Sequence, residues 1–111
     1  MQNTLVNAFI YGPYGLTDYN LILNTSKKLL KNFGKVNVIL FTSSIAKIDD
    51  CIVKLAHELK YDIFRVNGVD DVAPITDLCI LFRSTHCPEC KEILELMKSI
   101  PNRIIDLNYE I

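Results

Sequence analysis

The sequence predicts an α/β sandwich built on a mostly parallel sheet, and three observations point to it. Five short runs rich in Val, Ile, Leu and Phe recur along the 111 residues, at 5–10, 36–41, 63–66, 78–82 and 103–107. Three of them are nearly continuous apolar blocks, which fit strands covered on both faces, because a half-exposed antiparallel strand would alternate apolar with polar residues. Segments of helical period lie between the runs, and strand alternating with helix is the pattern of layered α/β domains. A single domain spanning residues 1–111 is expected, since a chain of this size buries roughly two thirds of its unfolded surface and folds without metal or disulfide staples.

The first helical segment, 18–32, gathers Tyr19, Ile22, Leu29, Leu30 and Phe33 on one side and turns Lys27, Lys28 and Lys31 away from it. Thr17 or Asp18 is the expected cap, and Gly34 the expected stop. The second, 46–60, stripes Ile48, Ile52, Leu55, Ala56 and Leu59 together and leaves His57 opposite, facing solvent. The link 67–75 carries Gly68, Asp70, Asp71 and Pro74 and reads as an irregular loop. The third helix, 88–99, puts Cys90, Ile93, Met97 and Ile100 on one stripe and ends before Pro101. Right-handed crossovers then favour a five-stranded, three-layer arrangement with strand order 3-2-1-4-5. In that order the loops after Ile10 and after Phe82 flank one crevice at the carboxyl edge, where ligands of such sheets bind.

Half of the residues are hydrophobic and the formal net charge is −1, so neither disorder nor attraction to a polyanion is indicated, and no nucleic-acid partner is expected. Lys27, Lys28, Lys31 and Lys35 read as a solvated helix face. No apolar run approaches the roughly 18 residues of a membrane span, and residues 1–6 lack the basic start and apolar block of a signal peptide. A cytoplasmic location away from membranes is the expectation, with Cys51, Cys79, Cys87 and Cys90 mostly reduced. Cys79, inside an apolar run, is expected in the core.

Cys87-Pro88-Glu89-Cys90 opens a helix that follows a strand, the arrangement in which helix N-terminal amides and the helix dipole stabilise a thiolate. On a helical wheel Cys90 shares the buried stripe while Cys87 sits at the cap and faces outward, as resolving and attacking thiols should. Pro88 suits the first helical position, where its missing amide hydrogen would be unpaired anyway. Over residues 78–107 the segment resembles the opening of glutaredoxin, although the residues that follow are too few for the antiparallel hairpin of that fold. Zinc is not expected at His86, Cys87 and Cys90, because Cys51, His57 and Cys79 lie on other elements and supply no second short ligand pair.

Two further loops face the crevice. Tyr11-Gly12-Pro13-Tyr14-Gly15 leads through Thr17-Asp18 into the first helix, where glycine permits close approach of a ligand and the helix start favours an anion. Thr42-Ser43-Ser44 precedes the second helix, with Asp49-Asp50 near its start, and hydroxyls in that place either cap the helix or hold a phosphate or ribose.

These loops, in order and spacing, resemble those of the SLOG superfamily, Rossmann-like domains related to the DNA-processing protein DprA and the LOG cytokinin-activating enzymes, and especially its compact YAcAr-type members. Ile10-Tyr11-Gly12-Pro13 and Thr17-Asp18-Tyr19 stand for the family's glycine-led loop and Asp-Tyr pair. Thr42-Ser43-Ser44 and Ile48-Asp49, with Ala56 behind, stand where its Ser-Gly-Gly run and Ala-Asp pair fall. Asp77 fits the Asp before strand 4, and Glu89-Cys90 replaces a Gly-Thr pair. Of the family's motif glycines, Gly12 remains.

The resemblance implies a small module that binds a nucleotide or nucleotide-derived ligand, lined by Gly12, Pro13, Tyr14, Thr42, Ser43, Ser44 and Asp49, and it implies a homodimer. Tyr14 would stack on a base and Asp49 would accept a ribose hydroxyl or cap its helix. Two alternatives stand beside it: a thiol-disulfide protein using Cys87 and Cys90, and a ligand-free interaction domain. The residues identify no cofactor and by themselves assign no reaction.

Overall fold

The computed structural model describes residues 5–12, 16, 18–31, 33, 35–41, 48–84 and 87–108. Among them, β1 (Leu5–Tyr11), β2 (Lys35–Phe41), β3 (Asp62–Val66), β4 (Leu78–Arg83) and β5 (Arg103–Asn108) form one sheet in the order β3-β2-β1-β4-β5. All four pairings are parallel. The sheet and the strand order are those the sequence predicts. Ala8, Val38, Ile39, Ile80 and Leu81 in the three central strands are closed to solvent, as the continuous apolar blocks require. The mixed runs of β3 and β5 lie at the edges and are half-exposed, with Phe64 at 47% exposure.

Paired residues of parallel strands share a face of the sheet, so Ala8 and Ile10 lie with Leu78 and Ile80 on one side, and Phe9 and Tyr11 with Cys79 and Leu81 on the other. The first face carries α1 (Tyr19–Leu30) and α2 (Ile48–Leu59). These helices are joined by a hydrogen bond from the Tyr19 hydroxyl to Glu58 at 2.9 Å and by the Lys54 ammonium over the Tyr19 ring. The second face carries α3 (Val69–Val72), a 3₁₀ turn (Ala73–Ile75) and α4 (Pro88–Lys98). Right-handed crossovers dictate this split, because the chain winds outward to β3 and then returns to wind the other way from β4.

Asp18 caps α1, its carboxylate accepting from the Leu21 amide at 3.1 Å. The helix buries Ile22, Leu23, Ser26 and Leu30, with Tyr19, Leu29 and Phe33 half-buried beside them, so the apolar stripe is centred further toward Leu23 than the sequence pattern suggests. Lys27, Lys28, Lys31 and Lys35 are exposed, and so is His57 on α2. Thr17 and Gly34 lie outside the described residues.

The link 67–75 differs from expectation: it is helical, not irregular. Asp70 and Asp71 stand in the first turn of α3, where carboxylates favour a helix start, and Pro74 fits the opening of the 3₁₀ turn. Val72 and Ala73 are buried and anchor the link, and the Thr76 hydroxyl donates to the Val72 carbonyl at 2.8 Å. So short a helix carries too few residues to show a period.

At the amino edge of the sheet one residue ties three strands together. The Asn7 amide donates to the Asp77 carboxylate and the Asp77 amide to the Asn7 carbonyl, both at 2.9 Å, just before β4 begins. The Asn7 side chain donates to the Ile75 carbonyl at 3.0 Å and accepts from the Asn37 side chain of β2 at 3.2 Å. Substituting Asp77→Ala should lower stability by about 0.5–1.5 kcal/mol in urea unfolding, the range for one net hydrogen bond, whereas Lys27→Ala on the exposed face of α1 should stay within about 0.5 kcal/mol of the parent.

Candidate functional site

The carboxyl ends of β1 and β4 lie side by side, paired through Tyr11 and Leu81, as the strand order predicts. β4 ends at Arg83, and the Cys87 amide donates to the Ser84 carbonyl at 3.1 Å, turning the chain into α4. Cys87 is the N-cap of that helix, its sulfur accepting from the Cys90 amide at 3.2 Å, and Pro88 takes the first helical position. Amide hydrogens pointed at a sulfur from a helix start favour its ionised form. Cys87 is half-buried and Cys90 closed to solvent, with the Cys90 sulfur 3.8 Å from the Phe82 carbonyl oxygen.

Cys87 and Cys90 are joined by a disulfide, where the expectation is of four mostly reduced cysteines. The capping turn brings their Cα atoms to 5.4 Å, within the range a disulfide spans without backbone movement. Cys51 and Cys79 are free and buried. Burial, aided by Asp106, pushes the Cys79 thiol up to about 12, and burial raises Cys51 as well, so neither is a ready nucleophile at neutral pH.

Tyr11 is a site residue that the sequence reading did not single out. Its side chain is 1% exposed, and its hydroxyl donates to the carboxylate of Glu89, the residue between Pro88 and Cys90. Burial holds the Tyr11 hydroxyl above the usual phenol range, followed by the hydrogen bond to Glu89, the charge of Glu89 and that of Asp49. The central strand is thus fastened to the turn of helix that bears the cysteine pair. The signal in the sequence is positional: a tyrosine ending strand 1 faces whatever opens the helix after its neighbour, strand 4.

A cleft of about 500 Å³ runs between α4 and the edge of the sheet, with Cys87, Lys91, Leu94 and Lys98 along the helix. Arg83 and Asp106 close its sheet side, paired through Nε and Oδ1 at 2.9 Å. On the other flank of α4, Glu89 and Glu92 face Asp70 of α3 across a smaller groove floored by Ile93 and Leu96. The two flanks of α4 therefore carry opposite charge.

Gly12 is buried, and the space around it is filled. A Cβ there would lie 2.6 Å from Leu16 Cδ2, 3.2 Å from Ile48 Cδ1 and 3.3 Å from the Phe82 Cβ, so the small residue lets three apolar side chains close over the end of β1. Asp49 is half-buried in the first turn of α2, near enough to Tyr11 for its charge to be felt there. Pro13, Tyr14, Thr42, Ser43, Ser44 and His86 lie outside the described residues. Of the expected lining residues, then, Gly12 and Asp49 are described at this edge, beside the candidate redox pair Cys87 and Cys90. Among the described residues no three His, Cys, Asp or Glu side chains are grouped to hold a metal ion, and no helix is long and apolar enough to cross a membrane.

The buried phenol has a consequence for pH. An unfolded tyrosine ionises near 10.0, whereas Tyr11 stays protonated well above that in the native state, so the folded chain binds more protons there and stability falls as pH rises. The contribution is complete below pH 10 and is lost above it. The melting temperature should drop on passing from pH 9 to pH 11, and Tyr11→Phe should flatten that drop while lowering stability at pH 7 by about 1 kcal/mol for the lost hydrogen bond. No protein-family model matches the chain, and neither a curated protein sequence nor a solved structure matches it, so the function must be argued from these residues and their geometry.

Proposed function

We propose that the chain is a thiol-disulfide exchange protein in which Cys87 attacks and Cys90 resolves. One observation carries this reading: a half-buried Cys87 at a helix N-cap opens onto a cleft, and a closed Cys90 lies within bonding reach behind it. In the reduced protein the Cys87 thiolate attacks one sulfur of a substrate disulfide, forming a mixed disulfide and expelling the other sulfur as a thiolate that takes up a proton. The Cys90 thiolate then attacks the Cys87 sulfur, closing the intramolecular bond and releasing the second substrate thiolate. Two electrons pass from the cysteine pair to the substrate, and an external dithiol restores the pair. Buried Cys51 and Cys79 take no part.

Reduction of a dye-quenched peptide disulfide, with dithiothreitol as electron donor, tests this. The parent should accelerate the reaction over an equal concentration of free cysteine, and Cys87→Ser should return it to that background. Cys90→Ser should still attack the peptide through Cys87 and, once dithiothreitol is removed, should accumulate a mixed disulfide at Cys87, visible by mass. A parent rate equal to that of free cysteine would overturn the proposal.

A second reading follows from the reversal of strand order between β1 and β4, where the sheet stops growing on one side and grows on the other. Such a switch point is where α/β sheets bind nucleotides, and it has Gly12 and the half-buried Asp49 beside it. On this reading the chain is a SLOG-like module for a nucleotide or nucleotide-derived ligand, completed by Pro13, Tyr14, Thr42, Ser43 and Ser44 and working as a cytoplasmic homodimer. Any ligand that binds the native state alone must stabilise it. A thermal-shift screen of mononucleotides, nicotinamide nucleotides and cyclic nucleotides should then show a raised melting temperature, and no shift at millimolar ligand would rule this reading out.

A further inference from the structure

We infer that the cleft beside α4 receives an acidic polypeptide segment carrying the substrate disulfide, and that Lys91 and Lys98 select it by charge. The inference rests on the thiol-disulfide reading and assigns its substrate class. Cys87 lies at one end of the cleft, Lys91 one helical turn further on and Lys98 three turns on, so the two cations stand about 6 Å and about 16 Å from the capping residue along the axis. An extended peptide advances about 3.3 Å per residue, and carboxylates about two and about five residues from the reactive cysteine would meet them.

The charge pattern around Cys87 supports a negative substrate over a positive one. Among the described residues of the cleft Arg83 is matched by Asp106, which leaves Lys91 and Lys98 against the carboxylate of Glu95. Buried Leu94 supplies an apolar floor between them. On the far flank Glu89, Glu92 and Asp70 repel the same substrate, so an acidic segment is steered to the basic side of the helix. Lys91 and Lys98 are exposed, and replacing them leaves the core untouched.

The test compares second-order rates of the reduced protein with two peptide disulfides that differ only in Asp against Asn at the second and fifth positions from the cysteine. At low ionic strength the acidic peptide should react about threefold to tenfold faster, and the advantage should shrink as salt is raised toward 1 M. The double variant Lys91→Glu/Lys98→Glu should abolish or reverse the preference. Lys27→Glu/Lys31→Glu, which changes net charge equally but on α1, should keep it. Equal rates for the two peptides in the parent, or a preference that survives the cleft variant, would overturn the inference while leaving the exchange activity standing. Failure of the parent to reduce either peptide above the free-cysteine background would instead remove the underlying reading.

Discussion

The parallel pairing of β1 with β4 is the constraint on which the remainder of the structure depends. Because β4 joins β1 on the side opposite β2, the chain leaving β3 must cross back over the sheet, and the helices are forced onto both faces. The junction is fastened at each end by a polar contact. Asn7 and Asp77 exchange hydrogen bonds at the amino edge, and Tyr11 reaches Glu89 at the carboxyl edge. Between those fasteners the pair is apolar and closed to solvent, from Ala8 with Leu78 to Ile10 with Ile80. A slip of register by one residue would exchange every side chain between the faces and break both fasteners together.

That junction also explains why the cysteines sit where they do. A strand that ends in the middle of a covered sheet delivers its successor helix with its N-terminus at the rim, half in and half out of the protein. Cys87, as the capping residue, inherits the exposed half of that position and Cys90 the buried half. No special loop is needed to set an attacking sulfur in front of a resolving one. The helix geometry does so at a spacing of three, and the Tyr11 contact keeps the first turn from drifting away from the central strand.

Much of this is legible in the residues themselves. The nearly continuous apolar runs of β1, β2 and β4 carry a strong signal because both faces of each are covered, and the more frequent polar residues in β3 and β5 mark the edges. The capping geometry at Cys87 followed from Pro88 at the next position. What escaped was tertiary. α3 is four residues long and shows no period, yet it folds because Val72 and Ala73 find a buried seat. Tyr11 looks like any aromatic residue ending a strand until the partner strand supplies Glu89. The basic side of α4 depends on which flank the sheet edge occupies, and a helical wheel holds no such information.

The returning link between β3 and β4 carries a mechanical implication. It must travel sideways by three strand spacings, about 14 Å, and back along the sheet by about 20 Å, a diagonal of roughly 25 Å. The four residues of α3 and the three of the 3₁₀ turn advance only about 12 Å between them, and the four other residues of 67–77 can add at most about 14 Å. Reach and requirement are nearly equal, so this strap is drawn tight. Shortening it would unwind its helical turns before it could pull β3 inward, which makes its length a property the architecture itself dictates.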